Sequence, residues 1–201
     1  MTQFFKFISY IFHPLFFPLV GAVIYYNLSP KFHPPEELQS VIIRVAILTL
    51  FIPIIFFFLL KNIGWIDSIY LKDVSQRKVP LYLYVFLTFM VVYGVVSPVF
   101  SIELYYYFVG IIGSLIACLM LVFFKFKASM HMMSVTGLTL FLIGLSFHYE
   151  VNITFALSIM VLFTGLVASS RLYLKAHDAK ELLLGSIIGG VPQFLAFNYW
   201  V

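Results

Sequence analysis

Near the C-terminus the chain reads SSRLYLKAHDAKELLLG, Ser169 to Gly185. His177 and Glu181 stand four positions apart in it, the separation of one helical turn. A carboxylate at that reach accepts the Nδ1 proton of the imidazole and leaves Nε2 free to attack, which is the arrangement of an oriented nucleophile. Arg171 precedes His177 by six positions, and its planar fork suits bidentate contact with a phosphate. Lys175, Asp178 and Lys180 read as charges that keep the turn hydrated.

Two further clusters offer groups for the same chemistry. In KFKASMHM, Lys125 to Met132, His131 falls where an apolar run begins. The start of a helix presents free N–H groups and the positive end of the dipole, and both attract phosphate. Lys127 adds a cation, and Ser129 a hydroxyl that also serves as a helix cap. In LKDVSQRKVP, Leu71 to Pro80, Arg77 is the candidate phosphate ligand. Lys72, Asp73 and Lys78 there read as solvated loop charges, with Asp73 a candidate partner for a site arginine. His33 and His148 fall in loops elsewhere, and His13 lies inside an apolar run. One histidine beside a helix end is ordinarily structural. Two on one face, each with Arg or Lys nearby, make a candidate site.

Such clusters need elements to hold them, and composition says which kind. The chain has 201 residues with 24 Phe and 13 Tyr, is 63% hydrophobic and only 10% charged, and has a mean hydropathy of +1.06. No water-soluble core hides that much apolar surface, so the chain reads as a membrane protein. Several long apolar runs follow the N-terminal one, so a signal peptide does not account for the pattern. About 20 apolar residues cross a bilayer as a helix. Seven candidates meet that measure: Phe5–Tyr26, Leu38–Leu60, Leu81–Phe100, Glu103–Phe124, His131–Phe147, Val151–Leu174 and Glu181–Trp200. Prolines interrupt the first, second and last, which neighbouring helices tolerate. His13-Pro14 and Pro18 make the first the least regular, a candidate re-entrant segment. The expected fold is all-α, a polytopic transmembrane helical bundle of six to seven spans, one domain over residues 1–201. Gly185 and Gly189 have the spacing of close helix packing. Tyr25, Tyr26 and Tyr105–Tyr107 read as interfacial aromatics.

Alternation of the loops places Lys6, Lys61, Lys72, Arg77, Lys78, Lys125, Lys127, Arg171, Lys175 and Lys180 on one face. Lys31 and Arg44 are left for the other, which carries Glu36, Glu37, Glu103 and Glu150. The positive-inside tendency then turns the basic face toward the cytoplasm. An anion site built from the three clusters would gather the same residues, so the two readings share their basis. The formal net charge of +4 suits an anionic lipid or substrate. No basic tail or basic–aromatic segment suggests nucleic acid. The lone Cys118 forbids an intrachain disulfide and a cysteine-based metal site.

Ser170-Arg171, five residues, His177, three residues and Glu181 resembles the last signature of the type 2 phosphatidic-acid phosphatase superfamily, in which the acid is Asp. Ser129-Met130-His131 echoes its Pro-Ser-Gly-His signature. The first signature, Lys, six residues, Arg-Pro, is matched least: Lys72 would require Arg where Val79 stands, and Arg77-x-x-Pro80 is the nearest echo. The likeness runs from about Leu71 to Gly190 and looks like a short variant membrane branch of the Bacteroidetes type. Two spans separate the first and second clusters here, which departs from many relatives and bears most on Arg77.

The resemblance implies an integral lipid phosphatase of the bacterial inner membrane. His177 would form a phosphohistidine, Glu181 would orient it and His131 would protonate the leaving group. Arg171, Ser129, Arg77 and Lys127 would hold the phosphoryl oxygens. Neither metal nor cofactor is implied. The partners would be the bilayer and a phosphorylated lipid, undecaprenyl diphosphate, a phosphatidic acid or a lipid A phosphate among them. Fixed cations where charge develops, and an acid near neutrality, suit that chemistry on physical grounds alone. The alternative is a non-catalytic relative that binds a lipid headgroup or serves a membrane assembly. A magnesium-dependent prenyl transferase ranks last, since no pair of Asp-rich segments is present.

Overall fold

Proline and charge decide where the helices break. In the computed structural model, which describes residues 1–66 and 73–201, α1 (Thr2–Ile11) gives way to a 3-10 turn at Pro14–Phe16, followed by α2 (Phe17–Leu28). Pro14 has no N–H to give, and its ring forbids an α-helical path for the residue before it. His13 is accordingly extended, at φ −67° and ψ 135°. The second run forms α3 (Pro35–Ala46), a π turn at Ile47–Phe51 and α4 (Ile52–Asn62). Pro53 follows that turn, and the wider winding accommodates its missing donor. A 3-10 turn at Ser75–Arg77 leads into α5 (Lys78–Gly94). There follow α6 (Ile102–Phe123), α7 (Met130–His148), α8 (Thr154–Tyr173) and α9 (Ala179–Phe197). Leu71 and Lys72 of the first cluster lie outside the described residues.

Each expected run is helical, and no strand occurs among the described residues. Five stretches are long and apolar enough to cross a membrane: Thr2–Leu28, Pro35–Asn62, Ile102–Phe123, Met130–His148 and Thr154–Tyr173. α5 has 17 residues, ending at Gly94 where the sequence suggests Phe100. α9, with Lys180, Glu181 and Gln193 in its 19 residues, falls just short in apolarity.

The first run is not re-entrant. Ser9 lies against His131 at the start of α7, and Tyr25 lies against Glu103, which binds His148 at its end. Those two histidines are about 25 Å apart along the helix axis. The prolines therefore interrupt this run without turning it back.

The tightest seam joins α7 and α9. A Cβ on Gly185 would stand 2.5 Å from the Ser129 carbonyl oxygen, and one on Gly189 would overlap the Met133 carbonyl. Only hydrogen at these positions lets the two backbones meet. Deeper in, Tyr107 stacks on Phe141 at 4.3 Å, amid buried Phe108, Leu104, Leu138 and Leu145. Large apolar side chains also cover the outside, Ile55, Phe86, Phe89, Phe155 and Leu162 among them. A protein with apolar residues both inside and out is built for a lipid surrounding.

At the far end, buried Glu103 accepts from Lys31 Nζ at 2.6 Å and from the Tyr25 hydroxyl at 3.0 Å, and His148 Nε2 lies 3.1 Å from it. This knot ties the loop after α2 to the start of α6 and the end of α7.

Candidate functional site: a histidine-lined cavity at the basic end

The seam brings the second and third clusters together. Asp178 is the N-cap of α9, its Oδ1 accepting the Glu181 N–H at 2.8 Å. Its charge therefore does more than hydrate the turn. Asp178-x-x-Glu181 is a capping-box spacing, and that signal is legible in the sequence. The Glu181 side chain does not complete the box. It turns to His177, whose Nδ1 lies 2.6 Å from Oε2. His177 precedes the helix and is not on its face, so the contact spans a helix start and not a helical turn. A carboxylate only accepts, so Nδ1 carries the proton and Nε2 bears the lone pair.

His177 is 9% exposed. Burial, then the charges of Lys127, Arg171 and Arg77, hold its pKa far below the ordinary histidine range. The ring is therefore neutral at physiological pH. Removal from water and neighbouring positive charge act in the same direction here.

Main-chain contacts lock the surrounding loops. The Ser129 N–H donates to the Glu181 carbonyl at 3.1 Å. Lys127 Nζ donates to the Ala176 carbonyl at 2.7 Å. Arg77 Nη1 donates to the Ala128 carbonyl at 3.2 Å. Burial, ahead of other causes, lowers the pKa of both cations below their usual values. Lys127 thus steadies the turn that presents His177. Ser129 is fully buried and caps α7, its Oγ accepting from Met132 N–H at 3.4 Å. Asp73 does not pair with an arginine among these contacts; its carboxylate accepts the Ser75 N–H at 2.9 Å, which lowers its pKa. Lys78 lies 5.0 Å from the Phe123 ring centre.

A cavity of about 620 Å³ opens between these loops and the helices. Arg77, His131, Arg171 and His177 line it together. Lys127, Ser129 and Glu181 are not among its lining residues, and of the three Ser129 is fully buried behind the wall. Away from the charged end the lining becomes apolar, with Leu50, Ile54 and Phe57 from the second run and Leu81, Ile111 and Leu115 opposite. The size and the mix of apolar wall and few polar groups are those of a small-molecule or lipid pocket.

Sequence reasoning missed α1. Lys6, Ser9, Tyr10 and His13 also line the cavity. The Ser9 carbonyl accepts from His131 Nε2 at 3.2 Å, and its Oγ accepts from Arg171 Nη1 at 3.0 Å. The same hydroxyl meets Ser170 Oγ at 2.9 Å, and Ser170 donates to the Phe5 carbonyl at 2.8 Å. The signal was present: positions 6, 9 and 10 fall on one face of α1, and polar residues inside an apolar span are functional candidates.

Comparison with protein-family models, curated proteins and solved structures finds no match to this chain.

Proposed function

We propose that this chain is an integral membrane phosphatase acting on a lipid phosphate or diphosphate through a phosphohistidine. The observation that carries the reading is the His177–Glu181 pair at 2.6 Å, in a cavity that also holds Arg77, Arg171 and His131 and continues into an apolar lining. His177 Nε2 attacks phosphorus. The bond to the leaving oxygen breaks, and that oxygen takes its electron pair. Glu181 holds the ring in the nucleophilic tautomer and compensates the positive charge it gains. Arg171 and Arg77 stabilise the charge growing on the phosphoryl oxygens, where fixed donors act with little reorganisation.

His131 is the proton carrier. A main-chain carbonyl only accepts, so Nε2 holds a proton for Ser9 and Nδ1 is bare. A monoanionic phosphate, whose second pKa is about 6, brings the missing proton. His131 takes it at Nδ1 and passes it to the leaving oxygen. Water then attacks the phosphohistidine, His131 Nδ1 takes its proton, the P–N bond breaks with its electron pair returning to His177 Nε2, and the departing phosphate carries the proton away from His131 as the monoanion. The lipid tail lies along Ile54, Phe57 and Leu115 within the bilayer. The membrane is the bacterial inner membrane, crossed six to seven times, with the basic end cytoplasmic by charge count.

Purified protein in detergent should release phosphate from a panel of phosphatidic acids, polyprenyl diphosphates and lipid A phosphates in the presence of chelator. Vanadate should inhibit it. His177→Ala and His131→Ala should abolish turnover, and full activity in both would sink the reading. The second reading is headgroup binding without turnover, and the hold of Ser9 on Arg171 and His131 favours it. Lipid binding with no phosphate release across the panel would establish it.

A further inference from the structure

All three histidines of this cavity have their proton positions set by their partners. His177 carries its proton on Nδ1, for Glu181. His131 carries its proton on Nε2, for the Ser9 carbonyl. His13 is the third. Its Nδ1 accepts the Leu15 N–H at 3.4 Å, and a backbone N–H only donates. Its neutral ring is therefore protonated on Nε2, which makes that atom a donor.

Position agrees with the chemistry. His13 lines the cavity, is exposed where His177 is buried, and its ring centre lies 5.8 Å from that of His131. Pro14 holds the residue extended and out of the helical register, so the ring stands at a fixed break in the chain. Ser129, the hydroxyl suggested by the sequence as a phosphate ligand, is fully buried behind the wall. The first run thus supplies the cavity with a neutral donor.

We propose that His13 is a binding residue of this cavity, donating Nε2–H to an oxygen of a tetrahedral oxyanion held beside His177 and Arg171. The phosphoryl group is the oxyanion in view, so the assignment rests on the function proposed above. The shared chemistry is a phosphoryl group, carried by a lipid or free in solution.

The test uses the full chain in detergent micelles, labelled with ¹⁵N-histidine and titrated separately with vanadate, inorganic phosphate and a short-chain phosphatidic acid. H13N keeps an acceptor for the Leu15 N–H but does not reach as far as imidazole. In the parent protein the His13 Nε2 resonance should move on saturation. H13N should bind the oxyanion roughly 10- to 100-fold more weakly, as for a hydrogen bond to a charged group, at an unchanged thermal midpoint. Weakening toward phosphatidic acid or toward inorganic phosphate supports the assignment, and the tighter ligand names the source. Equal affinity of H13N and parent, or a His13 resonance that stays put at saturation, overturns it. So does weaker binding in both H13N and H13Q that comes with a lower thermal midpoint, since loss of the turn would then explain it. Parent protein that binds vanadate through His13 but hydrolyses no lipid phosphate sinks the phosphatase reading and supports the His13 assignment. Parent protein that binds no oxyanion sinks both.

Discussion

The Ser129 N–H donates to the Glu181 carbonyl at 3.1 Å, joining the starts of α7 and α9. The residue that orients the proposed nucleophile is thereby tied to the cap of the helix that begins with the proposed proton carrier.

That bond survives only while α9 stays close. Gly189→Ala puts a methyl group into the Met133 carbonyl, and backbone cannot swing aside as a side chain can. Overpacking of this kind costs about 1–3 kcal/mol. The thermal midpoint should fall, and activity should fall further than stability because the loop bearing His177 and the start of α7 bearing His131 separate. Gly165→Ala is the control: nothing lies within 4 Å of a Cβ there.

Glu181→Gln keeps an acceptor opposite His177 Nδ1 but removes the charge that compensates a positive ring. Turnover should drop roughly 10²-fold, within the range of acid–base support, while vanadate affinity changes little. A variant as active as the parent removes Glu181 from the mechanism.

The acid and alkaline limbs have different origins. The folded-state pKa of His177 lies well below its unfolded value of about 6.5. Its neutral ring therefore favours the folded state above about pH 6.5, and that stability is lost as pH falls toward the depressed value. Activity should persist below pH 6 until the ring charges. On the alkaline side, kcat/KM should decline above the second pKa of the phosphate, about 6, as the monoanion disappears. A flat profile from pH 6 to 9 would remove substrate as the source of the proton. Urea midpoints and initial rates across pH 4–9 measure both limbs.

Much of this site was legible in residue types and spacing. His177, Glu181, Arg171, His131 and Arg77 were named from charge clusters in an apolar chain, and the cavity or its wall gathers them. The helices were readable because their apolar runs are long and bounded by charge. What stayed hidden depends on packing between distant segments. Nothing local to Ser129 says that it will be sealed behind the wall, since a cap and a phosphate ligand use the same hydroxyl. The place of α1 was hidden for a like reason: Ser9 and Arg171 are 162 positions apart. The Glu103 knot is another such case, read from sequence only as an acid at the start of a span on the opposite face.

That knot gives an independent test of the fold. Lys31→Ala takes the ammonium from the buried Glu103 carboxylate, which keeps His148 and the Tyr25 hydroxyl. Breaking a buried pair from one side costs about 3 kcal/mol, reduced here because the Lys31 side chain is 40% exposed. Denaturation should show the loss, with the phosphate release proposed for the other end unaffected. Lys31→Ala paired with Glu103→Gln should recover part of it.

Sidedness is measurable at Ser75, which is exposed in the turn before α5. In a Cys118→Ala background, Ser75→Cys should react with a membrane-impermeant maleimide in inverted vesicles and not in intact cells. The reverse pattern would place the basic end outside and overrule the charge count.

The contacts of Ser9 also have a kinetic consequence. Arg171 Nη1 already holds the Ser9 hydroxyl, so the anion of the proposed function would reach that N–H only by exchange with a group tethered to the same chain. The tether makes the competitor's effective concentration constant, whatever the amount of lipid around it. Binding then includes a first-order step, the departure of Ser9, and the observed association rate levels off as ligand rises. If the site takes the anion proposed for it, the rate of capture becomes a property of α1.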